Sequence, residues 1–439
     1  MQKRRIGCVV PADQLSGGFA FVAGVETLCS AAGLIGHVWV GHCLALGGGW
    51  LKQIAVITTS RADYGHLFWP LRLIEASPTL NLSLIVMASH LSDEFGNTVS
   101  QIEADGFHIA NRIPCLVDTD SDVSMAKTIG RGIDGLADVL GEMRPDILLM
   151  IADRYEMLAP ASVALALRIP IAHIEGGDIS EGAVDDAVRN ALTKMSHLHM
   201  TPTHDAQRRV LAMGEEPWRV SFSGAPSLDH LRRSTIPDKA ALEQTLGFEI
   251  ADDLCVVAYH PVTLDADTTA ESEPLFDAMI REPRQQVWCF PNADVGYSEL
   301  VGKTRALCQR HGNAHLFTNL DHLSYWALLH HAQLMVGNSS SGIMETPSIA
   351  LPCVNIGDRQ RGRTTAANIV NAAADAQAIQ SAIAEACSSG FRNGLQGMEN
   401  PYGDGHAAER IVDILTHAPD RQTLLRKQAL PVGANGFLT

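Results

Sequence analysis

DILLMIADRYEMLAPASVALALRIPIAHIEGG (146–177) decides the fold. An apolar run ends in Ala152, Asp153 and Arg154, a longer apolar stretch follows over 156–167, and a second short run ends at Glu175. A strand that is apolar throughout is buried on both faces, as happens where helices cover both sides of a parallel sheet. Strand, helix and strand in this order make a βαβ unit. The same alternation extends outward to QIAVIT (53–58), LSLIVMAS (82–89) and HIANRI (108–113) on one side and to HLHMT (197–201) and RVSFSG (219–224) on the other. Helices are expected over 64–76, 124–143, 156–167 and 185–195.

At 223–239, SGAPSLDHLRRSTIPDK brings two prolines and several small or charged residues, the composition of a crossing segment. The alternation then resumes with LCVVAYH (254–260), QVWCF (286–290), AHLFT (314–318), QLMVGN (333–338) and LPCVNI (351–356). We therefore expect two doubly wound α/β domains, 53–225 and 226–400, then a helix over 401–418 and a frayed polar tail over 419–439. With 439 residues the chain exceeds one ordinary core and fits two domains of roughly 150–200 residues. Residues 1–52 read as an extension: a Gly/Ala-rich apolar run over 17–49 superficially resembles an export signal, but no A-x-A cleavage site follows and a core strand starts at once. An extension without chemical role, or a start codon assigned too early, is the expectation, and a cytoplasmic location with it.

The 49 acidic and 33 basic residues give a net charge of −16, which repels nucleic acid and anionic membrane and leaves an anionic ligand to local arginines and amides. The nine cysteines include no CxxC pair and read as reduced thiols.

In open α/β sheets, ligands sit at the carboxyl ends of strands, where helix N-termini favour anions. Polar residues cluster there. TTSRADYG (58–65) follows the first strand and offers Ser60 and its neighbours as helix caps and Arg61 as a phosphate ligand. Asp153, Arg154 and Glu175 leave buried strands, with Asp178, Asp185 and Asp186 close behind; crowded carboxylates push pKa values apart and supply both acid and base. Asp186 reads more simply as an acid favoured at a helix start. In the second half, His260 ends a strand and precedes Pro261. GNSSSG (337–342) then lets backbone amides approach a diphosphate, with Glu345 placed for ribose hydroxyls and Arg359, Arg361 and Arg363 after the next strand. The loop is neither a GxxxxGK[ST] nor a GxGxxG fingerprint, so ATPase and dehydrogenase readings fall. His197, His199 and His204, the pair His330 and His331, and His173 beside Glu175 show no zinc spacing; no metal and no cofactor are expected.

Together ITTSRADYG (57–65), SHLSDEFGNT (89–98), ADRYEMLA (152–159), HIEGGDISEGAVDDAVRNAL (173–192), YHPVT (259–263) and GNSSSGIMETP (337–347) resemble the hydrolysing UDP-N-acetylglucosamine 2-epimerases over about 53–415. The resemblance implies a GT-B architecture, with the C-terminal helix crossing back to the first domain, and hydrolysis of UDP-N-acetylglucosamine to N-acetylmannosamine and UDP for sialic acid synthesis. It implies Asp153, Glu175 and Asp185 as catalytic acids, with Asp186 as fallback for Asp185, and His260 as a catalytic cleft histidine. Arg61, His90, Arg154, Ser339, Ser340, Glu345 and Arg359 match substrate-binding positions. Asp153 is the first choice for the C2 base and Glu175 the second. A homo-oligomer, dimer or tetramer, is implied too, with the apolar helix at 159–167 a surface for a neighbour. UDP-N,N'-diacetylbacillosamine is the alternative substrate; a non-hydrolysing epimerase, a GT-B glycosyltransferase and a non-catalytic nucleotide-sugar sensor are the more distant readings.

Overall fold

The structure, a computed structural model, describes residues 51–117, 121–264, 267–290, 296–318, 320–428 and 430. The expectations for the extension therefore lie, up to residue 50, outside the described residues, as does the end of the tail.

Two parallel sheets organise the described residues. The first contains β1 (Lys52–Thr58), β2 (Leu80–Met87), β3 (Ile109–Ile113), β4 (Ile147–Ile151), β5 (Ile171–Ile174), β6 (Leu198–Thr201) and β7 (Val220–Phe222), in the order β3-β2-β1-β4-β5-β6-β7. The second contains β8 (Cys255–Ala258), β9 (Gln286–Cys289), β10 (Ala314–Phe317), β11 (Leu334–Gly337), β12 (Cys353–Ile356) and β13 (Ile369–Ala372), in the order β10-β9-β8-β11-β12-β13. This is a pair of Rossmann-like domains in the GT-B-like arrangement. Every expected strand is present; β13, four residues with Asn371 in the middle, was not anticipated.

Burial explains the pattern. All five residues of β4 are buried, because helices cover both sheet faces. Along β8, Cys255 and Val257 enter one apolar cluster while Val256 and Ala258 enter another, as the two-residue period of a strand requires. After β1 the helix Arg61–Glu75 starts earlier than expected, because the Ser60 hydroxyl accepts the Asp63 N–H at 3.3 Å and caps it. Its Tyr64, Leu67, Leu71 and Ile74 recur at helical spacing and are fully buried.

Strand order reverses between β1 and β4 in one sheet and between β8 and β11 in the other, and ligand sites form at such switch points. Register brings the carboxyl ends together: Val56 lies opposite both Leu84 and Leu149, and Gly337 opposite Ala258. Gly337 has φ +144°, and a Cβ there would stand 2.0 Å from the Ala258 carbonyl oxygen, so only glycine lets β11 turn into the following loop.

The C-terminal helix spans Ala407–His417 rather than starting at 401. Ala407, Ile411 and Leu415 enter the core of the first domain. Asp229 accepts the N–H groups of Ala407 and Ala408 at 2.9 and 2.8 Å, and Lys52 Nζ donates to the carbonyls of Leu415, Thr416 and Ala418 at 2.8, 3.1 and 2.8 Å. Both ends of the helix are thus closed by the charge that its dipole favours. The next segment does not fray: a short helix, Arg421–Leu425, buries Leu424, and Arg219 donates to the carbonyls of Leu424 and Arg426 at 2.9 and 3.0 Å. In the helix Leu158–Leu167, Ala159, Ala161, Val163 and Ala164 are buried within the domain, leaving Leu165 and Ala166 exposed. No helix among the described residues is long and apolar enough to cross a membrane.

Candidate active site

Between the sheets lies a cleft of two lobes, with about 940 and about 700 Å³ of empty space. Ala62, His66, Ser340, Met344 and Arg359 line both, so the lobes adjoin.

The larger lobe holds Arg61, His260, Ser339, Ser340, Ser341 and Glu345, with Phe317, His322, Tyr325 and Trp326 at an aromatic end. Arg61 reaches across from the first domain and donates to the Leu320 carbonyl. His260 is held by its backbone: its N–H donates to Asn338 Oδ1 at 2.7 Å, and Asn338 Nδ2 returns a bond to the His260 carbonyl at 2.8 Å. Ser339 caps a helix, Ser340–Met344, of only five residues, so the dipole expected at this loop is small; the Asn338 and Ser339 N–H groups donate to the Ala258 carbonyl at 3.1 and 3.2 Å, and the side chains of Ser339, Ser340 and Ser341 line the cleft. Tyr325 donates to Ser341 Oγ at 2.9 Å, and Ser341 in turn donates to Glu345. Burial pushes the Glu345 carboxyl up, opposed by His66 and Ser341. Arg359, buried, donates to the Asn338 carbonyl at 3.2 Å.

The smaller lobe holds the acids. Asp153, Glu175, Asp178 and Asp185 line it together with Arg154, Arg189 and Arg363. At the ends of β4 and β5, Ala152 (φ +58°) and Glu175 (φ +64°) both adopt the left-handed region, which for non-glycine residues costs on the order of 1–3 kcal/mol and concentrates at functional sites. The strain is supported: the Ala152 carbonyl accepts from His173 Nε2 at 2.8 Å, and Glu175 N–H donates to the Met200 carbonyl at 2.8 Å. Asp153 pairs with Arg189, which is 2% exposed. Arg154 pairs with the fully buried Glu156 at 2.9 Å. Burial pushes the Asp178 carboxyl up, opposed by Arg363 at 3.2 Å. Asp185 opens onto the lobe, while Asp186 accepts the Ser180 N–H at 2.9 Å and Asn190 Nδ2 at 3.0 Å and does not line it.

One candidate falls elsewhere. His90 is fully buried and lines neither lobe; its ring nitrogens meet Thr58 Oγ1 at 2.9 Å and Thr98 Oγ1 at 2.8 Å, and burial pushes its pKa down to about 3. It ties β1 to the segment after β2. The histidines weighed for metal are engaged separately: His197 Nδ1 accepts the Ile171 N–H, His199 pairs with Glu215, and His204 stacks on Phe222.

Two residues escaped the sequence reading. Asp63, buried, accepts the N–H and hydroxyl of Thr59, and burial pushes it up against the pull of Arg154. His66 stands where the lobes meet, with Nδ1 2.9 Å from Glu175 Oε1 and Nε2 3.8 Å from Glu345 Oε1. Burial alone would lower its pKa, but Glu175, Glu345 and Asp63 outweigh that and raise it to about 9. A histidine five residues after Arg61, on the helix that leaves the switch point, was the available signal.

Two Rossmann-like domains, with hydroxyls and arginines in one lobe and acids with arginines in the other, define a GT-B-like protein with a polar cleft. The chain belongs to the UDP-N-acetylglucosamine 2-epimerase family, whose pattern matches residues 72–416. It is 32% identical over 378 residues to the UDP-N,N'-diacetylbacillosamine 2-epimerase (hydrolyzing) of Legionella pneumophila, covering 86% of this chain and 99% of that protein. It is 33% identical over 323 residues to the GDP/UDP-N,N'-diacetylbacillosamine 2-epimerase (hydrolyzing) of Campylobacter jejuni, covering 73% and 84%. Among solved structures, UDP-GlcNAc 2-epimerase from Neisseria meningitidis bound to UDP-GlcNAc shares the fold, with a TM-score of 0.70 at 19% identity over 83% of this chain and 99% of that one.

Proposed function

We propose that the protein is a hydrolysing 2-epimerase: it converts UDP-N-acetylglucosamine and water into N-acetylmannosamine and UDP. The observation that carries this reading is the juxtaposition of two lobes that share wall residues, one lined by Arg61, His260, Ser339 and Ser340, the other by Asp153, Glu175 and Asp185. UDP occupies the first, with Arg359 at the junction beside the diphosphate and Glu345 near the ribose. The sugar occupies the second, within reach of Arg154. As the C1–O bond breaks, its electron pair leaves with the β-phosphate oxygen, and Arg61, His260 and the hydroxyls of Ser339 and Ser340 stabilise that charge. Asp153 takes the C2 proton, giving a glycal. Water then adds its oxygen to C1 while a second carboxyl group delivers a proton to the other face of C2 and takes back the proton that the water loses; Asp153 gives up the original C2 proton to solvent, so two carboxyls are needed.

Acids crowded into one lobe favour this over a glycosyltransferase using the same nucleotide lobe or a sensor without chemistry. UDP-N,N'-diacetylbacillosamine is a second reading, favoured by the names of the Legionella and Campylobacter relatives. The test is incubation with UDP-N-acetylglucosamine in deuterated water, read by proton NMR. Free N-acetylmannosamine deuterated at C2, together with UDP, is the expected result, and Asp153→Asn should lower the rate by about 10²–10⁴-fold. Accumulation of UDP-N-acetylmannosamine would make the enzyme an isomerase, and an untouched substrate would move the reading to the diacetylbacillosamine nucleotide.

A further inference from the structure

His66 has no role in the mechanism above, yet it touches an acid in each lobe. Its ring is offered from the helix Arg61–Glu75, the first element after the switch point, and lies in the wall that the two lobes share. Glu175, which it meets at 2.9 Å, stands on a strained backbone that aims its side chain into the cleft. A carboxylate in that position keeps one rotamer only if a partner holds it.

We propose that His66 is the positioning residue of the acid lobe: its imidazolium fixes the Glu175 carboxylate in one orientation and, through Glu345, keeps the acid lobe in register with the nucleotide lobe. The inference rests on the reading of the cleft as a 2-epimerase site. The groups facing His66 are Glu175 after β5, Glu345 after the helix Ser340–Met344, Asp63 on its own helix and His230 on the helix Asp229–Arg233. Three are acids and one is a histidine that burial holds at about 3, so the charge balance around His66 favours the proton.

The sign follows. A raised pKa means that the imidazolium is present below about 9 and lost as pH rises through it, so kcat should fall on the alkaline side near that pH. His66→Gln should lower kcat by about a hundredfold and raise KM by much less, because a displaced Glu175 slows chemistry more than the loosened Glu345 weakens the hold on the ribose. The alkaline fall should vanish in this variant, whereas His66→Lys, which keeps a cation, should recover part of kcat and move the fall to higher pH. An unchanged kcat and pH profile in His66→Gln, or a change in KM alone, overturns the proposal.

Imidazole NMR of histidine-labelled protein gives a readout independent of turnover and of whether His66→Gln folds. One resonance, absent from His66→Lys, should titrate near 9 in the wild type and lower in Glu175→Gln; titration at an ordinary histidine value in both overturns the proposal. Wild-type inactivity on both nucleotides would sink the reading of the cleft instead, and the titration would still decide whether His66 holds Glu175.

Discussion

Asp185 and Asp186 are neighbours in sequence with different fates. Asp185 lines the acid lobe, whereas both oxygens of Asp186 are spent on Ser180 and Asn190 at the start of the helix Val184–Met195. Asp185→Asn should therefore lower turnover by about 10²–10⁴-fold. Asp186→Asn should cost roughly 0.5–1.5 kcal/mol of folding free energy and leave turnover per folded molecule near wild type. Urea unfolding and steady-state kinetics on the same preparations separate the two, and the reverse pattern would exchange their roles. Adjacent acids cannot be told apart from spacing alone, since the loop from Glu175 to Asp185 sets which one faces inward. His90 shows the opposite limit: a histidine at the end of β2 invites a ligand role, but Thr58 and Thr98, distant in sequence, claim both of its nitrogens.

The twelve expected strands all form; the clearest trace in sequence is left by those buried along their whole length, such as β4, β5, β8, β11 and β12, whereas β3, β7 and β10 are only partly buried. β13 left none: it is a four-residue edge strand, Ile369–Ala372, in which only Ile369 and Val370 are large and apolar, and Ala-rich sequence follows. The helix after GNSSSG is shorter than its sequence suggested because Pro347 sits close behind, at the start of a 3₁₀ turn, Thr346–Ile349. The segment after 419 read as polar and loose because its anchor lies elsewhere, in Arg219, a residue about 200 positions earlier whose guanidinium takes the carbonyls of its last turn. Arg219 is 1% exposed and also pairs with Glu216 at 2.6 Å. Arg219→Ala should cost about 3–5 kcal/mol, since it takes the cation from beside Glu216 and the guanidinium donor from several carbonyls. Urea unfolding reads the loss, and a cost below 1 kcal/mol would mean that water replaces the guanidinium.

Across the whole molecule, a chain of net charge −16 gathers Arg61, Arg154, Arg189, Arg359 and Arg363 at one cleft. An anion repelled by the surface at large is met there by cations that low-dielectric walls strengthen. The domains meet closely beside it: a Cβ on Gly182 would stand 2.7 Å from Arg359 Cα, and Glu181 N–H donates to the Arg361 carbonyl at 3.2 Å. The acid-bearing loop of the first domain is thus seated on the arginine-bearing loop of the second.

The C-terminal helix sits in the first domain's core, and this has a bearing on synthesis. The first sheet is complete at Phe222, yet Ile411 and Leu415, which finish its apolar interior, leave the ribosome about 10–40 s later at ordinary elongation rates. Until then, residues on the helix Arg61–Glu75 that the C-terminal helix covers stay in contact with water or a chaperone. Nascent chains stalled before Ala407 should be cut by protease in the first domain, and chains stalled well beyond His417 should resist. If both resist equally, the domain closes without its last helix; if only the longer one does, the half of the molecule that carries the acid lobe is, in time, the half that finishes second.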